Sequence, residues 1–322
     1  LALRLNLTVA GEKACAASFF TCDGFINPAV PQIQPQGRFA GWRHGISLNS
    51  SGHATLNYFS GNCFSEMLFL ATTWLSLSNP WLWGGSVTGL LVLLALVVPK
   101  KILTPMGLAH AWFLGTVVWG MLGWTGWSVV IFYLAVGSGI TFVGMEQKEA
   151  AGIAEARAGA RGPGNLWGSA LTGTVCALLL LVLPATMAPL LKLGFVASFA
   201  TKLSDTTATE IGKAYGQRTF LITTLAPVPR GTEGAVSLEG TLAGIVGSLA
   251  IATFGWALGL ISPVGIGICG VAALVATTLE SVIGATVEEQ FPFLTHHVVN
   301  IINTTIGAGV AIAIAVLVPS LV

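Results

Sequence analysis

Residues 240–279 read GTLAGIVGSLAIATFGWALGLISPVGIGICGVAALVATTL and hold no Asp, Glu, Lys or Arg. A helix needs about 20 apolar residues to cross a bilayer core, so this run, broken at Ser262-Pro263, reads as two crossings. The same pattern extends outward, because 67–99, 102–145, 162–191 and 290–322 are also free of ionised side chains. Breaks at Gly and Pro place helices near 81–99, 106–123, 125–143, 166–184, 189–203, 241–261, 264–285 and 298–318. The expected fold is all-α, a polytopic integral membrane helix bundle with about seven or eight transmembrane helices.

Composition agrees. Charged residues make up 8% of the 322 and apolar residues 54%, whereas soluble domains carry about 25% charge. So few charges could not cover a water-soluble surface. With a net charge of +1, nothing points to a nucleic-acid partner, which would need a basic stripe, and none is expected. Cys15, Cys22, Cys63, Cys176 and Cys269 form no CxxC pair, and the last two fall inside spans. They read as packing residues, with neither structural zinc nor a disulfide framework expected. Residues 1–65 differ: Arg4, Lys13, Arg38 and Arg43 face only Glu12 and Asp23 among Gly, Ser and Gln. That stretch is expected to be an N-terminal extension, either a removable organelle transit peptide or disordered, with 66–322 as the membrane-embedded domain.

The few charges are unevenly placed. With the spans above, one side receives Lys100, Lys101, Lys148, Arg157, Arg161, Lys202, Lys213, Arg218 and Arg230, and the other little beyond Lys192. Short basic loops stay on the side of synthesis, so the basic face is expected to be cytoplasmic or stromal. The connections on the poor side, near 184–189 and 261–264, are short Pro-containing turns. Those at 144–165, 204–240 and 286–297 are long and polar, so a site is expected there.

Three constellations carry the chemistry. In KEAAGIAEARAGARGPGNLWGSA (148–170), a helical stretch is expected before Gly162-Pro163-Gly164, with Arg157 and Arg161 four apart on one face. They suit a phosphate, or simply fix the topology. In SFATKLSDTTATEIGKAYG (198–216), a short span runs into Lys202, Asp205, Glu210 and Lys213. Acidic groups beside lysines at a membrane boundary suit a magnesium ion flanked by phosphates. Asp205 and Glu210 lie about 140° apart on an ideal helix, so sharing one ion requires a break between them; Asp205 and Thr209 share a face. In PRGTEGAVSLEGTLAG (229–244), Arg230, Glu233 and Glu239 stand among glycines that allow close backbone approach to an anion. Arg230 can grip phosphate oxygens, GxxxxGK[ST] is absent, and Gly240 with Gly244 also fits close helix packing. Glu280 sits in an apolar span, a functional candidate by default. In HHVVNIINTTIGA (296–308), Asn300 and Asn303 stand at the mouth of the last span, and His296 and His297 read as interfacial.

These motifs, in this order, resemble the family of membrane proteins that includes the plant and cyanobacterial phytyl-phosphate kinase and, more distantly, animal transmembrane protein 19. The resemblance covers 80–322. It implies a chloroplast or cyanobacterial membrane enzyme that phosphorylates phytyl phosphate to phytyl diphosphate, with CTP as donor, feeding tocopherol and phylloquinone synthesis. The partners expected are an isoprenoid monophosphate, a nucleoside triphosphate and the lipid bilayer.

Roles follow from the chemistry of bringing many negative charges together. Asp205 and Glu239, assisted by Glu210 or Glu233, are expected to hold magnesium. Lys202, Lys213, Arg230, Arg161 and Arg157 are expected to hold phosphate oxygens, with Asn300 and Asn303 facing the site. Competing readings are a kinase acting on the free prenol and a membrane transporter, the latter favoured by Glu280 and the short, Pro-flanked 189–203 segment.

Overall fold

The computed structural model describes residues 46–48, 54–56, 79–97, 102–154, 160–286, 291 and 294–318. Arg157, Lys100, Lys101, Cys15, Cys22 and Cys63 lie outside the described residues. The chain divides into two units, Leu1–Phe64 and Ser65–Val322. In the first, β1 (Ile46–Leu48) pairs antiparallel with β2 (Ala54–Leu56), Ile46 opposite Leu56.

The second unit is a helix bundle: α1 (Pro80–Val97), α2 (Pro105–Thr141), the short α3 (Met145–Ala150), α4 (Pro163–Leu179), α5 (Ala188–Tyr215), α6 (Leu238–Ala257), α7 (Pro263–Thr286) and α8 (His296–Leu317). A two-stranded hairpin, β3 (Thr219–Leu221) with β4 (Ala235–Ser237), links α5 to α6, Thr219 opposite Ser237.

Five helices, α1, α2, α6, α7 and α8, are long and apolar enough to cross a membrane. That is fewer than the seven or eight crossings expected, for reasons the remaining helices make plain. α4 has 17 residues. α5 carries its charges within the helix. α2 spans 37 residues but contains Gly123 at φ 68°, ψ −165°, and the chain folds back there. Its N-cap Thr104 and Tyr133 near its end both reach Arg161, Thr104 N donating to Arg161 O at 3.0 Å and Arg161 Nη1 donating to Tyr133 Oη at 2.7 Å. A straight helix of that length would hold its ends about 55 Å apart. The break expected between 123 and 125 is therefore present, at a backbone angle that favours glycine.

α5 is the axis of the bundle and packs against α2, α4, α6, α7 and α8. Leu193, Phe195, Val196, Phe199, Ala200 and Leu203 are buried along it. Sequence reading ended this helix at 203, and the correction has a local cause. Its polar residues are satisfied without leaving the helix: the Thr207 hydroxyl donates to Leu203 O at 2.7 Å, and Lys202 pairs with Asp205 one turn on. The segment thus runs unbroken to Tyr215, rather than as the short, broken element that favoured a transporter.

α6 fits closely against α5 because it presents glycine where the two cross. A Cβ at Gly240 would stand 2.6 Å from Ala208 O, and one at Gly244 3.0 Å from Ser204 O. The packing role expected for this pair is what the structure contains. Cys176 and Cys269 are buried free thiols.

Candidate active site

At the end of the bundle where α2 terminates and α4, α6 and α8 begin, the helices part around a cleft of about 210 Å³. Pro163 opens α4 and Ser237 caps α6, its Oγ accepting from Gly240 N at 3.1 Å. The long α5–α6 connection folds over this end as the β3–β4 hairpin. Gly234 seats the hairpin on α7: its φ is +72°, and a Cβ there would meet Ser281 O at 2.6 Å.

The centre of the cleft is Lys202, buried on α5. Its Nζ donates to Asp205 Oδ2 and, at 2.5 Å, to Asn300 Oδ1 from α8. Asp205 also lies within hydrogen-bonding reach of Glu280 on α7, and Glu280 within electrostatic reach of Lys202. Beneath Glu280, Asn303 donates from Nδ2 to its carboxylate, while Asn303 Oδ1 is buried without a hydrogen-bond partner. Thr209 Oγ1 stands 3.5 Å from Asp205 Oδ1, on the shared helix face that the spacing required. Three separate helices thus converge two carboxylates, one lysine and two carboxamides.

Around this centre, Arg161, Lys213, Arg230 and Glu233 also line the cleft. Arg230 Nη1 donates to Ala214 O at 2.9 Å, tying the hairpin loop to the end of α5. Arg161 Nη1 donates to Tyr133 Oη at 2.7 Å, and Tyr133 in turn donates to Ser169 Oγ at 2.9 Å.

Two expected members are differently placed. Glu239, in the first turn of α6, is absent from the cleft lining. Glu210 lines the cleft, yet its carboxylate is engaged by Lys148 Nζ at 2.5 Å, with side-chain exposures of 4% and 0%. Because α5 does not break between Asp205 and Glu210, the two carboxylates take different partners. Sequence reasoning missed Tyr133 and Ser169; the available signal was a tyrosine, one of three in the chain, inside an otherwise apolar span.

The oxygen donors of Asp205, Glu280, Asn300 and Thr209 suit a hard divalent cation. Two neighbouring carboxylates need a proton or a cation between them to coexist. Among the described residues no group of three or more His, Cys, Asp or Glu forms a metal cluster, so such an ion would complete its shell with water and phosphate oxygens.

The profile of the integral membrane protein family DUF92 matches residues 88–308, a stretch that includes every side chain just described. The chain belongs to the DUF92 family of integral membrane proteins. It is 58% identical over 239 residues to a membrane protein of the cyanobacterium Synechocystis, covering 74% of this chain and 93% of that one. It is 45% identical over 236 residues to Protein VTE6, chloroplastic, of Arabidopsis thaliana, covering 71% of each chain. A membrane protein of the archaeon Methanocaldococcus jannaschii is 36% identical over 123 residues, 38% of this chain and 50% of that one. No solved structure matches.

Proposed function

We propose that this protein is a phytyl-phosphate kinase, transferring the γ-phosphoryl group of a nucleoside triphosphate, CTP by preference, to phytyl phosphate to give phytyl diphosphate. The observation that carries the reading is the convergence of Lys202, Asp205, Glu280 and Asn300 in one cleft at the end of an apolar bundle. Support comes from family membership, from the resemblance to the phytyl-phosphate kinases, and from 45% identity to a chloroplastic plant protein. On this reading the protein works in a chloroplast or cyanobacterial membrane, with the cleft facing stroma or cytoplasm.

The reaction forms a bond from an oxygen of the lipid monophosphate to the γ-phosphorus and breaks the bond to the leaving nucleoside diphosphate. The acceptor is already an anion, so no strong general base is needed. The difficulty is charge repulsion and in-line alignment. Lys202 places a cation at the centre, held in position by Asp205 and Asn300. Lys213 and Arg230, on the hairpin side, hold donor phosphates, and Arg161, on the membrane side, holds the acceptor. Asp205 and Glu280, with Asn300 and Thr209, would hold Mg²⁺, and Glu239 is replaced by Glu280 in this assignment. Bound there, Mg²⁺ neutralises charge across the donor phosphates. Glu233 stands near the cleft's solvent edge, and Glu210 serves the fold through Lys148.

The test is to incubate purified protein and Mg²⁺ with phytyl phosphate, geranylgeranyl phosphate or free phytol and each triphosphate in turn. Diphosphate from the monophosphates is expected. Monophosphate from phytol alone would make it a prenol kinase, and no phosphorylated lipid from any pairing would remove the kinase reading.

A further inference from the structure

A second cavity, of about 120 Å³, lies between α1, α2 and α4. Its wall is apolar: Leu91, Val92 and Ala95 from α1, and Leu108, Ala111 and Leu134 from α2. It meets the polar cleft at three residues that line both, Tyr133, Arg161 and Ser169. We infer that this cavity holds the head-proximal end of the isoprenoid tail, with the Arg161–Tyr133–Ser169 cluster as the boundary between phosphate and hydrocarbon. The inference rests on the lipid-phosphate reading above and goes further by naming where the tail lies and how much of it the protein reads.

The boundary is built for an amphiphile. A guanidinium has five N–H donors; Nη1 of Arg161 bonds Tyr133, and the guanidinium carbon lies 5.3 Å from that ring's centroid. The group is thereby fixed, with donors left for phosphate oxygens on the cleft side. The Arg161 backbone is tied to the start of α2, its N–H donating to Ile102 O at 2.9 Å and its carbonyl accepting from Thr104 N at 3.0 Å. On the other side of the Tyr133 ring the lining becomes hydrocarbon. A ligand with an anionic head and an apolar tail matches this change of character; a free nucleotide does not.

The outer wall is thin. α1 has 11% of its span buried, and Leu90, Leu93 and Leu94 face outward. A tail can therefore reach the cavity sideways from the bilayer. Size sets the limit on what is held: at about 30 Å³ per water-sized group, the cavity of about 120 Å³ takes about four such groups. A methylene is about as large, so roughly the first isoprene unit of the tail fits, and the distal units stay in lipid. The enzyme should discriminate the saturation and branching of the first isoprene unit and be indifferent to the last two.

Prenyl phosphates bearing a diazirine on either the first or the fourth isoprene unit test this, using full-length protein in nanodiscs and mass-spectrometric mapping. The first-unit probe is expected to label Leu91, Ala95, Leu108, Ala111 or Leu134, in competition with phytyl phosphate, and the fourth-unit probe to label lipid. Labelling of another helix face, or labelling that phytyl phosphate does not displace, overturns the cavity assignment; cavity labelling by the fourth-unit probe overturns the claim that only the head-proximal end is held. Ala111→Trp, and independently Ala95→Trp, should cut first-unit labelling at least fivefold, while Ala109→Trp on the outer face leaves it within twofold. Equal labelling in all three contradicts the inference. Because labelling requires no turnover, a protein that labels as expected but makes no diphosphate would end the kinase reading and leave the cavity standing. One that makes diphosphate but labels elsewhere would do the reverse.

Discussion

On α5, Asp205 and Glu210 stand five residues apart, and each meets a lysine in a setting of low exposure. The Glu210–Lys148 pair is closed: the lysine is fully buried and its Nζ also donates to Thr141 O at 2.7 Å. The Asp205–Lys202 pair is open, with side-chain exposures of 16% and 7%, and it is shared with Asn300 and Glu280 at the cleft. A buried ion pair costs desolvation that its own attraction barely offsets. The closed pair recovers that cost by fixing α3 and the end of α2 against α5. The open pair holds its charges where an incoming anion and cation can use them. Under the proposed function, similar chemistry on one helix serves the fold in one place and the reaction in the other.

Substitutions can break or sharpen this contrast. Lys202→Met and Glu280→Gln should each lower diphosphate formation by a factor on the order of 10² to 10³, about 3–4 kcal/mol of transition-state stabilisation, with thermal unfolding in detergent close to wild type. Wild-type turnover in either would erase the distinction between the pairs. Chelation with EDTA should stop turnover and added Mg²⁺ restore it, with the folded fraction unchanged by circular dichroism.

Lys148→Met should act the other way round, losing about 3–5 kcal/mol of stability by leaving Glu210 buried and unpaired. The double variant Lys148→Met/Glu210→Leu should recover most of that loss. If instead the double variant folds well but is inactive, Glu210 belongs to the reaction. Gly244→Leu should cost about 1–3 kcal/mol by forcing α6 off Ser204, read as a lower unfolding temperature. The smallest effect is expected for Glu239→Gln, within about twofold of wild-type activity, since Glu239 stands outside the cleft.

How much of this was legible in the chain depends on range. Charge-free runs and Gly and Pro breaks located the bundle and even the reversal at Gly123, because insertion into lipid is decided by local composition. Lys202, Asp205, Arg161, Lys213, Arg230, Glu233 and Asn300 were named from their loops, and the cleft gathers all of them. The continuation of α5 to Tyr215 was not legible, because besides the local bonds at Thr207 and Lys202 its polar residues need partners distant in sequence, Lys148 for Glu210 and Asn300 for Lys202, that only packing supplies. Which of Glu239 and Glu280 lines the cleft was not legible for the same reason. Both are carboxylates at the edge of apolar spans, and only the way α7 packs beside α5 brings one of them to Asp205. Tyr133 was hidden for a further reason: its role comes from the hydrogen bond that Arg161 makes across 28 residues.

The central claim is that the open cluster around Asp205 performs phosphoryl transfer to a lipid phosphate. Its most direct test is ³¹P NMR of phytyl phosphate, CTP and Mg²⁺ incubated with purified wild type and with Asp205→Asn. The account requires diphosphate resonances from the wild type and a rate at least about 100-fold lower, near 2.7 kcal/mol, from an Asp205→Asn protein that unfolds at the same temperature. Equal rates from the two proteins would contradict it.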